Sequence, residues 1–235
     1  MDEGKLRDNL QRVEARIRGA SERAGRSQDV QIVAVTKGHP VSVVRAALAV
    51  GLRRIGENRV AELESKVDAI GRDAAEWHLI GHLQRNKVRR AVSWFDLIHS
   101  IDSLRLAQEL SAEAERTGIT IRGLAQVNVS GEATKGGFEA SDSFDAALTE
   151  IAQASALPGL EVRGLMTMAP YTSDESILHR TFGRARELFD RCGEQVPGFM
   201  PVHLSMGMSN DYEVAVAEGS TMVRLGTVLF GERLT

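Results

Sequence analysis

The sequence predicts an α/β fold, a (β/α)8 TIM barrel made by a single domain with an extra N-terminal helix. Strand-like and helix-like segments alternate from residue 30 to residue 231, which is the pattern of parallel βα units. The strand-like runs are continuously apolar, as in IVAV at 32–35, and this is typical of strands that are buried on both faces. The length of 235 residues is close to the roughly 250 residues of such barrels.

The first predicted element is a helix within residues 1–25 that precedes the barrel. Leu6, Leu10, Val13 and Ile17 recur every three or four residues, so they share one face of a helix. Gly25 is its expected stop. We expect the barrel to occupy residues 30–231 of the same domain, because no composition shift or Ser/Pro-rich linker begins a second domain.

Eight strands and seven further helices are predicted in the rest of the chain. The predicted strands are Val30–Lys37, Arg54–Asn58, Trp77–His82, Leu97–Asp102, Gly123–Val129, Val162–Ala169, Val202–Met206 and Thr221–Phe230. The predicted helices are Val41–Val50, Val60–Ile70, Gln84–Ser93, Ser103–Thr117, Ser141–Ala154, Glu175–Cys192 and Asp211–Glu218. A doubly wound open sheet is the alternative architecture, but the first strand lacks the Gly-rich turn that usually follows it there.

Composition argues against several classes of protein. The net charge of −3 gives no overall footprint for nucleic acid. The first ten residues, MDEGKLRDNL, are polar, and no apolar run approaches the length of about 18 residues that a membrane-spanning helix needs. Both observations argue against membrane association, so we expect a cytoplasmic protein. Cys192 is the only cysteine, which excludes an internal disulfide and a cysteine zinc site.

Polar residues gather where the predicted strands end, and in a TIM barrel these ends form one rim that carries the chemistry. This convergence predicts a pocket. The residues at the strand ends are Thr36, Lys37, Gly38, His39, Gly56, Glu57, Asn58, Gly81, His82, His99, Ser100, Ile101, Asp102, Asn128, Met166, Met168, Ser205, Ser209, Arg224, Gly226 and Thr227.

Lys37, at the end of the first strand, is the sharpest candidate. A lysine amine can form a Schiff base with an aldehyde once burial or nearby positive charge has lowered its pKa. A phosphorylated aldehyde would also need an anion site, and barrels often bind phosphate after strands seven and eight. Ser205, Ser209 and the Gly226-Thr227 turn offer hydroxyl and backbone donors there. The alternative for Lys37 is an ordinary lysine at the rim whose charged end reaches solvent. The alternative for the serines and the Gly-Thr turn is an ordinary turn or helix cap.

Arg224 limits the chemistry of such a cofactor, which these residues indicate to be pyridoxal phosphate. A guanidinium facing the pyridine nitrogen would keep that nitrogen unprotonated and weaken the ring as an electron sink. This suits racemase-like proton transfer or simple holding of the cofactor. An ion pair of Arg224 with Glu57 or Asp102 is the alternative.

Several long motifs identify a family. They are VAVTKGHP, IGENRVAELESK, WHLIGHLQRNK, HSIDS, VNVSGEATKGGF, RGLMTMAP and LSMGMSNDYEVAVAEGSTMVRLGTVLFGER. With them the chain resembles the pyridoxal phosphate homeostasis protein family (YggS-like, PROSC) over nearly its whole length. The resemblance implies a fold-type III barrel related to the alanine racemase N-terminal domain, with pyridoxal phosphate on Lys37.

The resemblance also implies roles for other residues. Ser205, Gly226 and Thr227 would surround the phosphate, Arg224 would face the ring nitrogen, and Asn58, His82 and Met166 would line the pocket. Lys135 matches a lysine typical of the family and is a candidate secondary amine. Two positions depart from the pattern, since His39 stands in place of a second lysine and Arg59 in place of a tyrosine.

Three functions remain open from the sequence. The favoured one is a carrier that holds pyridoxal phosphate, supplies it to apoenzymes and affects amino-acid pools indirectly. A racemase would need a second base, for which Tyr171, Tyr212 or a histidine would have to serve. A metal-dependent hydrolase is prompted by His82, His99 and Asp102, although no metal-ligand spacing supports it.

Partners other than the cofactor leave few signals in the sequence. Arg85, Lys87, Arg89 and Arg90 form a basic cluster, which we interpret as a solvated helix face because no aromatic stacking platform accompanies it. Barrel-type racemases have an additional β domain, which is one reason for them to dimerise. That domain is not part of this sequence, so we expect a monomer.

Overall fold

The structure is a computed structural model that describes residues 2–132 and 135–232. Eight parallel strands close into a barrel, because β1 pairs with β9 and β4 pairs with β5. Within the described ranges the strands are β1 Gln31–Val35, β2 Arg54–Glu57, β3 Glu76–Leu79, β4 Leu97–Ile101, β5 Ile121–Asn128, β6 Phe138–Glu139, β7 Leu160–Met166, β8 His203–Ser205 and β9 Met222–Leu225. The short β6 pairs with β5 outside the ring. The predicted barrel is confirmed.

Helices follow the barrel strands and cover the outside. They are α1 Glu3–Arg23, α2 Val41–Ala49, α3 Val60–Ile70, α4 Val88–Ala91, α5 Leu104–Thr117, α6 Asp145–Ser155, α7 Glu175–Gln195, α8 Tyr212–Ala217 and α9 Thr227–Phe230. Two 3-10 turns, Arg72–Ala74 and Arg85–Lys87, precede β3 and α4. No helix of this described part is long and apolar enough to cross a membrane.

The N-terminal helix α1 packs on the barrel as its spacing predicts. Leu6, Leu10, Val13 and Ile17 are buried, and the Asn9 side chain donates a hydrogen bond of 2.7 Å to the carbonyl of residue 229 in α9. Helix α1 therefore covers the end of the chain that carries the predicted phosphate turn.

The barrel interior has its own apolar cluster. Side chains alternate along each strand, and one set points to the barrel axis, where Val33, Leu97, Leu124, Met166 and Met222 pack together. The larger core lies between the strands and the helices. Where a strand is regular, residues two positions before or after one of these five therefore also face the axis.

Three segments differ in kind from the prediction, while the ends of several others differ by up to four residues. The last strand ends at Leu225 and not at Phe230, because the amides of Leu229 and Phe230 donate to the carbonyl of Gly226 and so begin α9. The predicted helix Gln84–Ser93 is divided into a 3-10 turn and the short α4. Strand β6 was not predicted, since two residues carry no periodic pattern.

Candidate functional site

The carboxyl end of β1 brings Lys37 between two other strands. Val35 lies opposite Gly56 of β2, and Ala34 lies opposite Leu225 of β9. Lys37 is half-buried and follows Val33 and Val35 at a spacing of two, so its position in the alternation is that of a side chain facing the barrel axis.

An ion cluster fixes the backbone on both sides of Lys37. The ammonium group of Lys66 in α3 is buried and donates to the carbonyl of Thr36 at 2.8 Å, to Oε1 of Glu57 at 2.6 Å and to Oε1 of Glu62 at 3.1 Å. The hydroxyl of Thr36 donates to Glu57, and the amide of Gly38 donates to Glu62. We call Thr36, Glu57, Glu62 and Lys66 the β1 clamp.

Charge and burial act in opposite directions within the β1 clamp. Burial raises the pKa of the Glu57 carboxyl, whereas the neighbouring Lys66 ammonium and the Thr36 hydroxyl lower it. The second carboxyl oxygen of Glu57 is buried and has no hydrogen-bond partner among the described residues. Lys66 is not among the site residues predicted from the sequence, although its spacing of four from Glu62 predicts a helical ion pair.

Arg224 in β9 ties three strands together inside the barrel. Its Nη1 donates to the carbonyl of Ser205 at 2.9 Å and to Oγ of Ser205 at 2.7 Å, and its Nη2 donates to the carbonyl of Thr167 at 2.9 Å. Burial lowers its pKa to about 10, with Asp211 opposing the shift, so it remains charged at neutral pH. A guanidinium has five N–H donors, and these bonds use three of them.

The alternative ion pairs considered for Arg224 do not occur. Glu57 pairs with Lys66, and Asp102 lies 2.8 Å from Nδ1 of His82. Neither carboxylate is therefore the partner of Arg224.

The turn after β9 presents donors to a single point. Oγ of Ser209 accepts from the amide of Gly226 at 3.4 Å and from the amide of Val228 at 3.3 Å. Gly226 has a φ of −118°, which any residue adopts, and an added Cβ would lie in ordinary contact with Val35 at 3.4 Å. Glycine at this position leaves room for a ligand to approach the backbone closely. The residues at this turn, with Thr227 next in the chain, fit a phosphate group.

Ser205 lies inside the barrel next to Arg224. It is fully buried, and its Oγ contacts Nη1 of Arg224 at 2.7 Å and Nδ1 of His99 at 3.0 Å. The hydroxyl that contacts the Gly226 turn is that of Ser209. Ser205 therefore contacts Arg224 directly, because it ends β8, while Ser209 lies in the loop beyond it and contacts the turn.

The remaining pocket candidates have distinct positions. Met166 is buried within the barrel. Asn58 and His82 line one cleft together with Arg59 and Lys87. Gly81 lets the backbone pass Asn58 closely, since an added Cβ would lie 2.5 Å from the Asn58 carbonyl oxygen. His82 is largely exposed and bonded to Asp102, so it stands at the outer edge of the mouth.

Lys135 follows β5 in a loop near the mouth. Its Nζ lies 2.5 Å from Oε2 of Glu132, and its carbonyl accepts from the side chain of Asn128 at 3.3 Å. Lys135 is close enough to Asp211 for its charge to lower the pKa of that carboxyl against burial. It is therefore a second amine at this end of the barrel, held in an ion pair.

The residues needed by the alternative functions are scattered. Tyr171 is 93% exposed, and Tyr212 is buried in a cleft with Asn9 and Arg16 of α1, outside the barrel. His82 is paired with Asp102, while His99 contacts His78 and Ser205. Within residues 2–132 and 135–232 no group of His, Cys, Asp or Glu is arranged to hold a metal ion.

Part of the basic cluster is paired with carboxylates. The guanidinium of Arg90 bonds to Glu64, and Arg85 lies 3.9 Å from Glu109. This arrangement fits the interpretation as a solvated face.

The model of the family described as alanine racemase, N-terminal domain, matches residues 9–234. One curated relative is the pyridoxal phosphate homeostasis protein of Aquifex aeolicus, with 42% identity over 96% of this chain and 97% of the relative. Another is the pyridoxal phosphate homeostasis protein of Pseudomonas aeruginosa, with 40% identity over 97% of this chain and 96% of the relative. The solved structure of PipY from Synechococcus elongatus with PLP bound has a TM-score of 0.81 and 37% identity, covering 96% of this chain and all of that one. An alanine racemase from Clostridium difficile, with 16% identity, a TM-score of 0.74 and coverage of 99% of this chain and 57% of that one, shares the fold.

Proposed function

Because the chain belongs to the alanine racemase N-terminal domain family and is similar to curated pyridoxal phosphate homeostasis proteins over nearly its whole length, we propose that it binds pyridoxal phosphate for vitamin B6 homeostasis. The PipY structure with PLP bound supports this, since that protein covers 96% of the chain at 37% identity. The observation that carries the proposal is the meeting of β1 and β9, which brings an amine, a guanidinium and a donor turn together.

Pyridoxal phosphate supplies an aldehyde that condenses reversibly with an amine and releases water. In our proposal Nζ of Lys37 forms that covalent bond. Arg224 would face the ring nitrogen, and Ser209, Gly226 and Thr227 would hold the phosphate, with Ser205 supporting Arg224. Asn58, His82 and Met166 would line the remaining sides of the mouth.

The proposal favours holding the cofactor over catalysis. Arg224 stays charged and keeps a facing ring nitrogen unprotonated, which weakens electron withdrawal by the ring. A racemase also needs a second base on the opposite face, and Tyr171 is 93% exposed while Tyr212 faces α1. Delivery of the cofactor to apoenzymes, a cytoplasmic location and a monomeric state belong to the same proposal.

Retention and transfer of the cofactor test this function. The protein loaded with pyridoxal phosphate should keep it through gel filtration and should restore activity to an apoenzyme that depends on it. Lys37→Ala should lose retention, whereas Lys135→Ala, which removes the other amine near the mouth, should keep it. Retention that is equal in Lys37→Ala and the parent would contradict the proposed amine.

The racemase alternative has a separate measurement. Amino acids incubated with the loaded protein in deuterium oxide would exchange the hydrogen on the α-carbon if a racemase were present. We expect no exchange above that of free pyridoxal phosphate. Exchange that depends on Lys37 would overturn the carrier function.

A further inference from the structure

A continuous series of hydrogen bonds crosses the barrel interior and ends at Arg224. Oε1 of Glu76 lies 3.1 Å from Nε2 of His78, and Nδ1 of His78 lies 2.8 Å from Nε2 of His99. Nδ1 of His99 lies 3.0 Å from Oγ of Ser205, which is 2.7 Å from Nη1 of Arg224. We call Glu76, His78, His99, Ser205 and Arg224 the axial chain.

The axial chain joins opposite ends of the barrel. Glu76 begins β3, its side chain is 43% exposed, and its other oxygen lies 3.1 Å from Nε of Arg54. His78, His99 and Ser205 are fully buried. The neighbouring interior positions are filled by apolar side chains such as Val33 and Leu97. Two histidines are therefore not needed to fill the space, and burying polar groups is unfavourable unless they are hydrogen-bonded.

The fixed ends determine the direction of the donors. Arg224 can only donate, and hydrogen bonding to His78 lowers the pKa of Glu76, so its carboxylate only accepts. Burial, followed by the charges of His78 and Arg224, holds the pKa of His99 well below its usual value, which keeps His99 neutral. Nε2–H of His78 donates to the Glu76 carboxylate, and in the arrangement that continues this direction Nε2–H of His99 donates to Nδ1 of His78.

The same direction continues to Ser205. Nδ1 of His99 carries no proton in this arrangement, so it accepts from the hydroxyl of Ser205. The oxygen of Ser205 then offers its lone pair to Nη1 of Arg224. Every donor along the axial chain points from Arg224 toward Glu76.

We propose that Glu76, His78 and His99 are positioning residues for Arg224, which set the proton positions of the axial chain so that Ser205 accepts from the guanidinium. This inference rests on the proposed function, in which Arg224 faces the ring nitrogen of the cofactor. A carboxylate at the far face of the barrel thereby orients a cofactor-binding group through three buried side chains.

Glu76→Gln tests the proposal because Glu76 lies at the end of the axial chain remote from Arg224. Its matched control is Glu161→Gln, since Glu161 is a carboxylate of β7 paired with Arg122 at 3.5 Å and outside the axial chain. Ser205→Ala is a second variant that breaks the chain beside Arg224. Thermal unfolding of each variant checks that it folds.

The first readout is the ¹⁵N spectrum of the histidine rings in the full-length protein without cofactor. We expect the proton on Nε2 and not on Nδ1 of His78 and His99 in the parent, in Glu161→Gln and, for His78, in Ser205→Ala. Glu76→Gln should move part of the population to Nδ1–H. A parent with the proton on Nδ1 of His99 would overturn the proposal, whether or not pyridoxal phosphate binds.

The second readout is the dissociation constant and absorbance spectrum of bound pyridoxal phosphate. Glu76→Gln and Ser205→Ala should each weaken binding by roughly five- to tenfold, the effect of one weakened hydrogen bond, and shift the absorbance band. Glu161→Gln should do neither. Unchanged binding and spectrum in Glu76→Gln would overturn the positioning role while leaving cofactor binding intact. Failure of the parent to bind would refute the proposed function instead.

Discussion

At the scale of single residues, the site separates two serines that the sequence treats alike. Ser205 supports Arg224 from within the barrel, and Ser209 contacts the amides of the turn after β9. Ser205 follows Leu204 at the end of β8 and Ser209 follows Met208 in the loop beyond it, and only the tertiary structure distinguishes their partners. The assignment of the phosphate to Ser209, Gly226 and Thr227 depends on this difference.

Ser209→Ala should weaken the binding of pyridoxal phosphate but not the binding of pyridoxal. A hydrogen bond to a charged group contributes about 1.5–3 kcal/mol, so the dissociation constant of pyridoxal phosphate should rise by roughly 10- to 100-fold. Pyridoxal, which has no phosphate, should bind the variant and the parent equally. Titration by absorbance measures both, and an equal loss for the two ligands would place Ser209 away from the phosphate.

At the scale of elements, the β1 clamp joins the end of β1 to β2 and α3. Lys66 is buried and donates to Thr36, Glu57 and Glu62. The two residues that flank Lys37 are thereby held by one ammonium group and two carboxylates. The clamp orders the backbone from which the proposed amine projects.

Lys66→Met should destabilise the fold and slow the reaction of Lys37. Removing one partner of a buried ion pair costs about 3–5 kcal/mol, because Glu57 would keep a buried charge without its cation. Urea unfolding measures the loss, and the rate at which borohydride traps added pyridoxal phosphate measures the second effect.

The control for this variant is Lys5→Met, because Lys5 is an exposed lysine on α1. It should change neither the free energy of unfolding nor the trapping rate. Glu57→Gln combined with Lys66→Met should recover part of the lost stability, since it removes the unpaired charge. Full stability in Lys66→Met alone would contradict the clamp.

The order of the elements could be predicted from the sequence, but several of their boundaries could not. Val60–Ile70 was predicted with the bounds that the structure has, because its apolar residues recur regularly. The strand predicted for Thr221–Phe230 continued into α9, since an apolar run such as TVLF suits a strand or a helix equally.

The polar contacts inside the barrel were less predictable than the rim. From the sequence, His78 has no predicted role and His99 is a candidate metal ligand. Each of them lies two residues along its strand from a position that faces the barrel axis. The bond between His99 and Ser205 joins residues 106 positions apart. No local sequence pattern predicts a contact between residues so far apart in the chain. By contrast, the strands of a barrel all end at one rim, so the positions of Lys37 and Arg224 at strand ends are enough to place them together.

At the scale of the whole molecule, buried neutral histidines link stability to pH. Burial holds the pKa of His99 well below its usual value, and burial with the charge of Arg163 lowers the pKa of His203 to about 4. An unfolded histidine has a pKa near 6.5. Between these values the unfolded chain binds protons that the folded protein does not, so stability is complete above about pH 6.5 and decreases below it.

Urea unfolding at pH 7.5, 6.5 and 5.5 should reveal this dependence. The free energy of unfolding should fall below about pH 6.5, with up to about 1.4 kcal/mol lost per pH unit for each proton taken up only by the unfolded chain. His203→Asn should reduce the slope. Stability that is constant from pH 7.5 to pH 5.5 would contradict neutral buried histidines.

The central claim is that the amine of Lys37, at the mouth of the closed barrel, carries the cofactor. Borohydride reduction of the protein with pyridoxal phosphate, followed by mass mapping of the peptides, tests it most directly. We predict a phosphopyridoxyl mass on the peptide containing Lys37, with the reduced bond on that residue. The same mass on Lys135 or another lysine, with Lys37 unmodified, would contradict the account.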